Sequence, residues 1–270
     1  MATADATQVA GRPLRREWSL GPRLTGLLSF IGFILLWQSI IWITGINPIL
    51  LPSPGEVVSE FRAIWQEGIL WPTIVESLQP LAVGLFAGLV LGVLLGLLIG
   101  SSAWLDLLAA PYLWAFFATP RIATVPVIIL WLGFGFQAKV LIVFISTLLP
   151  VILSCKEGVQ TVDTSLVNAA RSFGANRLDL FRHVVVPYTL PFIANGVRNG
   201  IARGFVGLLI IEMTVGSGGI GRAVIKAMGQ FNTARMFAFI AILVVTALVL
   251  ITLSRKFEAY ASRWREEVYV

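Results

Sequence analysis

Apolar residues in this chain of 270 come in runs long enough to cross a lipid bilayer. About 20 such residues cover the roughly 30 Å of hydrocarbon in a typical membrane. The candidate spans are Leu24–Thr44, Leu78–Gly100, Trp104–Leu132, Val140–Cys155, Leu190–Ile211 and Phe237–Leu253. The third carries Pro120 and Pro126 and is expected to be kinked or broken rather than straight. Only 13% of the residues are charged and the mean hydropathy is +0.86, against about 25% charged in soluble domains. Hydrocarbon must therefore solvate most of the surface. The expected fold is an all-α, polytopic transmembrane helical bundle of about six spans. Residues 1–26 form an N-terminal tail, 27–255 the transmembrane domain with a loop at 157–187, and 256–270 a C-terminal tail.

Charge sets the orientation. Six spans put both termini on one side. Arg12, Arg15, Arg16 and Arg23, then Lys156, Arg171, Arg177 and Arg182, then Arg255, Lys256, Arg263 and Arg265 fall on that side, twelve of the twenty Lys and Arg. The opposite segment from Gly45 to Ser77 carries Glu56, Glu60, Glu67 and Glu76 against Arg62. The positive-inside rule then places both termini in the cytoplasm, although Arg222, Lys226 and Arg235 run against the trend. The first run has no small-residue cleavage site after it and holds Trp37 and Trp42, so it reads as a retained span rather than a signal peptide. The segment Ser53–Ile69 spaces Val57, Val58, Phe61, Ile64 and Trp65 as a helix does, and is expected to lie along the outer membrane face. The net charge of +6 comes from clusters beside apolar runs, without aromatic interleaving, which argues against nucleic acid as a partner.

Several chemistries lack their residues. Cys155 and His183 are the only cysteine and histidine, which excludes an internal disulfide and a Cys/His zinc site; Cys155 reads as a small buried hydrophobe. There is no G-x-x-x-x-G-K-[ST], no H-E-x-x-H and no G-x-S-x-G, so the chain has no ATPase site of its own by the P-loop route and no basis for enzymatic activity. Gly216-Ser217-Gly218-Gly219-Ile220-Gly221 spells G-x-G-x-x-G, but an apolar span precedes it and no β-α-β unit surrounds it; it reads as a flexible outer loop.

Glycine carries more information elsewhere. Gly84, Gly88, Gly92, Gly96 and Gly100 recur every four residues in the second span, and Gly196, Gly200 and Gly204 repeat the spacing in the fifth. Positions four apart stack on one helix face, so each helix has a groove without side chains in which another backbone can pack.

Between the fourth and fifth spans, Asp163, Thr164 and Ser165 can each cap a helix that holds Ala169 and Ala170 and stops at Gly174. A second short helix with Leu178, Phe181 and Val185 on one face is expected to end before Pro187. Two short helices with a glycine elbow make a knob suited to a groove on a soluble partner, or an elbow resting in lipid headgroups.

This stretch resembles the "EAA…G…I-LP" loop of binding-protein-dependent permeases, the membrane subunits of ATP-binding-cassette importers, through Ala169-Ala170, Gly174 and Val186-Pro187. Leu51-Pro52-Ser53-Pro54, Pro120-Arg121-Ile122-Ala123-Thr124-Val125-Pro126, Leu130-Trp131-Leu132-Gly133-Phe134-Gly135 and Ala170-Arg171-Ser172-Phe173-Gly174-Ala175 are similar to the sulfonate, taurine and nitrate-type branch. The resemblance implies a type I importer (MetI-like) core. It also implies a second permease subunit, two ATPase subunits that hold ATP and Mg, and an extracytoplasmic solute-binding protein. The loop core by match is Ala169, Ala170, Arg171, Gly174 and Pro187. Asn168 stands where the motif has Glu and removes a charge, and valines replace Ile and Leu at 184 and 186.

Ionisable residues in or beside spans are candidates for a translocation path: Arg121, Lys139, Arg198, Arg203 and Glu212. Arg198 reads as snorkelling from a helix end. Arg121, Arg203 and Glu212 remain as path residues, and the two arginines favour a small anion such as a sulfonate or nitrate. A gradient-driven secondary transporter would need acidic or polar ion ligands at mid-membrane. A scaffold without transport is a third reading.

Overall fold

A computed structural model describes residues 22–215 and 218–261, with side chains within 24–256. Among the described residues all regular structure is helical. The order is α1 (Pro22–Thr44), α2 (Pro54–Gln66), α3 (Leu70–Gly100), α4 (Ala103–Ala118), α5 (Arg121–Leu132), α6 (Phe136–Gln160), α7 (Thr164–Ser172) and α8 (Arg177–Leu180). A π-helical turn at Phe181–Val185 then leads to α9 (Val186–Val215), α10 (Ile220–Gly229) and α11 (Thr233–Ala261). The end helices α1 and α11 both reach beyond the 27–255 stretch expected for the transmembrane domain. The chain divides after Ile46 into two units.

The first unit is α1. From Leu24 to Thr44 it has no charged residue, and Ser29, Ser39 and Thr44 donate their hydroxyls to the carbonyls of Thr25, Leu35 and Ile40. These three hydroxyls are thus satisfied within the helix, as hydrocarbon favours.

The second unit is organised by glycine. A Cβ added at Gly84, Gly88, Gly92, Gly96 or Gly100 of α3 would lie 2.6–2.8 Å from the Cβ of Val143, Thr147, Val151, Cys155 or Val159 of α6, in that order. Both series step by four in the same direction, so α3 and α6 run parallel along their shared contact. Their backbones approach because α3 has no Cβ on that face, and dispersion contacts take the place of a hydrophobic drive. An adjoining side of α6, which shares Thr147 and Val151 with the first contact, meets a second glycine face. Gly196 lies against Ser154, Gly200 against Val151 and Thr147, Gly204 against Thr147, and Gly207 against Ser146. Here the indices fall on α6 as they rise on α9, so these two helices are antiparallel. Cys155 is fully buried between the layers.

Parallel α3 and α6 require the chain to return from one end of the bundle to the other between Gly100 and Phe136. The α4–α5 pair makes that return. It is bent by 98° at Thr119-Pro120, where the backbone is extended and Pro120 supplies no N–H. The expected break in the third span is there, and the pair is one broken span rather than a re-entrant loop. With α1, α3, α6, α9 and α11 this gives six crossings.

At the end of the bundle away from α7, α2 packs into a small core formed by Ile64, Ile220, Val224, Ala238, Phe239 and Ile242. Its start is fixed by Ser53 and Glu56, each accepting from the other's backbone N–H at 3.2 and 2.7 Å, with Pro54 in the first turn. Arg235 of α11 forks onto the Glu67 carboxylate at its other end. The Glu67 carboxyl is held below its ordinary range, first by that hydrogen bond and further by the guanidinium charge, against a smaller opposing effect of desolvation.

Candidate functional site

The knob is built by α7, α8 and their caps. Asp163 caps α7, accepting from the Ser165 N–H at 2.8 Å, a bond that lowers its carboxyl pKa. At the other end Gly174 has φ +83°, the Gly174 N–H bonds Arg171 O at 2.9 Å, and the Ala175 N–H bonds Ala170 O at 3.1 Å. This is a Schellman closure, which requires the left-handed conformation that glycine adopts freely. Asn176 then opens α8, its Oδ1 accepting from the Leu178 and Asp179 N–H groups. The expected two-helix knob with a glycine elbow is therefore present.

One detail differs from expectation. The second helix does not end before Pro187; α8 passes through the π-helical turn directly into α9, with the Val186 N–H bonding Phe181 O. Pro187 falls in the first turn of α9, and the wider turn before it accommodates the residue that has no N–H to give. The knob is thus continuous with α9, and α6 leads into it from the other side.

The loop-core residues lie where a partner can reach them. Asn168, Ala169, Arg171 and Gly174 are exposed, Ala170 and Pro187 are half-buried, and α7 buries no residue. Phe173, between Arg171 and Gly174, is 93% exposed, and Leu166 of α7 and Leu178 of α8 are exposed as well. Large apolar side chains held open on a rigid, capped turn mark an interaction surface. Sequence reasoning chose the alanines and the glycine; Phe173 carries the apolar area.

The candidate path residues separate into two sites. Arg203 lies in the middle of α9, seventeen residues from its first and twelve from its last. It is exposed, and Arg121 at the head of α5 is near enough for the two like charges to repel. Neither has an acidic partner among the described residues. Asn195, Asn199 and Arg203 recur every four residues on the same face, and Asn195 Oδ1 accepts from Arg198 at 3.0 Å and Asn199 at 3.3 Å. Arg198 is therefore not at a helix end; it belongs to a polar face in the interior of a 30-residue span.

Glu212 is nine residues beyond Arg203 and so on the opposite face of α9. It is fully buried, bonded to Lys139 Nζ at 3.0 Å, to Ser77 Oγ at 2.9 and 3.0 Å, and to the Gly221 N–H at 2.9 Å. Lys139 also donates to Gly218 O at 2.9 Å, while the Ile220 N–H donates to Ser77 Oγ and the Gly219 N–H to Glu76 Oε2. Gly218 and Gly219 have φ +92° and +91°, and a Cβ on Gly219 would lie 2.5 Å from Glu212 Cδ. The described part of the glycine-rich loop is therefore fixed by four side chains from α3, α6 and α9 rather than flexible; Gly216 and Ser217 lie outside the described residues. Sequence reasoning singled out Lys139 and Glu212 separately and gave no sign of their pairing, because 73 positions divide them.

Residues 88–266 match the family described as binding-protein-dependent transport system inner membrane component. The chain is 35% identical to the riboflavin transport system permease protein RibX of Chloroflexus aurantiacus, over 97% of this chain and 98% of that one. It is 27% identical to the taurine transport system permease protein TauC of Escherichia coli, over 95% and 96%. It is 30% identical to the putative aliphatic sulfonates transport permease protein SsuC of the same organism, over 94% and 93%. In fold it resembles a chain of the inward-facing MetNI methionine ABC transporter, with a TM-score of 0.62 over 72% of this chain and 98% of that one at 20% identity. The capped knob, the six crossings and these matches agree: the chain belongs to the binding-protein-dependent transport system inner membrane components, as a multi-pass permease subunit of an ABC importer.

Proposed function

We propose that two copies of this chain form the membrane path for a small organic anion, opened alternately to either side by two ATPase subunits. The observation that carries the reading is Phe173, 93% exposed on the Schellman-closed turn of a knob continuous with α9, with Leu166 of α7 and Leu178 of α8 also exposed. A groove on each ATPase receives that tip, and a solute-binding protein delivers substrate on the other side. ATP and Mg belong to the ATPase; this chain holds no cofactor of its own. Both termini and the knob are cytoplasmic, which the twelve cations on that side support. Lys156 at the knob end of α6 pairs with Asp106, and Gln160 bonds the same carboxylate, tying the broken span to the helix that enters the knob. Knob movement therefore reaches α4 as well as α9.

The anion is supported by Arg121 and Arg203, unpaired among the described residues, and by the likeness to taurine and sulfonate permeases. The likeness to RibX favours a flavin instead. Co-purification of an ATPase with the wild-type chain, and its loss with Gly174→Pro or with Ala169→Glu/Ala170→Glu, tests the knob. Uptake of taurine, ethanesulfonate and riboflavin into proteoliposomes holding the whole transporter tests the substrate. ATP-dependent riboflavin uptake without sulfonate uptake would overturn the anion reading.

A further inference from the structure

We infer that the face of α9 carrying Asn195, Asn199 and Arg203, together with Arg121 at the start of α5, is a water-accessible anion-binding site inside the membrane. The inference rests on the permease reading above and places its substrate class on named residues. The polar face lies about 100° round α9 from the Gly196–Gly200–Gly204 face that packs on α6, and Asn199 and Arg203 on it are exposed. A charged side chain facing hydrocarbon at this depth is strongly disfavoured, and two like charges near each other more so. Arg121 opens the helix whose Val125 and Ile128 share a core cluster with Ile211 of α9, and with no carboxylate beside either arginine among the described residues, water and a mobile anion would balance the two charges.

The surroundings agree in sign. Arg121 opens a helix whose N-terminus has no side-chain cap and follows a 98° break in a span, so the positive end of the α5 dipole and its unbonded N–H groups add to the two guanidinium charges. Asn199 and Asn195 continue the face toward the knob with neutral amides. They add neutral hydrogen-bonding groups beside Arg198, which donates to Asn195 Oδ1 at 3.0 Å. Arg203 lies roughly 25 Å along α9 from one end and 18 Å from the other, at 1.5 Å per residue. The ligand chemistry is a small oxyanion, a sulfonate or carboxylate.

The test uses the full chain with its native partners in detergent. The native Cys155, fully buried, serves as the unreactive background. Single cysteines are placed at Asn199, at exposed Gln66 outside the spans and at Leu94 on the exposed apolar side of α3. Each is treated with anionic sulfonatoethyl methanethiosulfonate and with cationic trimethylammonioethyl methanethiosulfonate. Asn199→Cys is expected to react with both, with an anionic-to-cationic rate ratio about tenfold above that at Gln66→Cys, the scale of electrostatic focusing in a cleft. Adding Arg203→Gln is expected to abolish most of the preference, and Arg203→Lys to keep it. Leu94→Cys should react with neither reagent. An Asn199→Cys thiol as inert as Cys155 overturns the site, because another helix or the second copy then covers the face. A ratio equal to the Gln66→Cys ratio, or one unmoved by Arg203→Gln, overturns it equally. Asn195→Cys replaces Asn199→Cys should the latter not assemble. Failure of the permease reading is read separately, as absence of ATPase from the purified complex.

Discussion

Lys139 Nζ and a carboxylate oxygen of Glu212 lie 3.0 Å apart, with 4% and none of their side-chain surface exposed. A buried pair of this kind is weak evidence of net stabilisation, but removing one partner strands the other charge. Lys139→Met alone, or Glu212→Gln alone, is expected to lower stability by about 3–5 kcal/mol. The double variant should recover a large part of that loss. Thermal unfolding of all four proteins in detergent measures the coupling, and purely additive losses would show that the pair is not a unit.

The glycine face of α3 is expected to reject even one methyl group at its tightest point. A Cβ at Gly96 meets Cys155 Cβ at 2.6 Å and the backbone oxygen of Ile152 at 2.8 Å, and backbone cannot rotate aside. Gly96→Ala should cost about 1–3 kcal/mol, the usual range for overpacking, and Gly96→Val should prevent accumulation of folded protein in the membrane. Gly32→Ala in α1 meets nothing within 4 Å and should leave accumulation unchanged. Equal accumulation of Gly96→Val and wild type would refute the packing.

Phe173→Ala separates fold from function. Its ring is 93% exposed, so the melting temperature should hold within about 1 °C, in keeping with the small effect of surface substitutions. The ATPase retained on the purified permease should fall at least about tenfold, as for loss of an aromatic interface anchor. Undiminished retention would move the anchor elsewhere on the knob.

Glu67 gives a pH dependence. Arg235 lowers its folded-state pKa, so its contribution is fully present above the ordinary carboxylate value near about 4 and is lost as pH falls through the lower folded value. Between about pH 5 and 3 the wild type should lose more stability than Glu67→Gln. Parallel acid unfolding curves would show that the ion pair is too well solvated to matter.

Much of the architecture was legible because membrane helices announce themselves locally. A span is a run of apolar residues, and a packing face is a glycine at every fourth position; both need only one segment of sequence. The partner of that face was not legible, since Val143, Thr147, Val151, Cys155 and Val159 are small residues of a kind common in every span, and only their spacing sets them apart. The same limit hid Ser77 and Lys139 as the partners of Glu212. It also led to Arg198 being assigned to a helix end, because its position depends on where α9 begins, and Pro187 suggested a start later than the true one. The knob was legible through its caps and its resemblance to a family loop; the exposure of Phe173 depends on what the knob leaves uncovered.

The matched steps of α3 and α6 bear on how force travels. Five gaps on one helix receive five side chains of the other, like a rack engaging its pinion. Slipping by one residue would take all five α6 side chains out of their glycine gaps at once, so the next equivalent register is a full four-residue step, about 6 Å away. If the knob is moved by an ATPase as proposed, displacements smaller than that step would not be taken up by sliding between α3 and α6, and the two helices would tilt together.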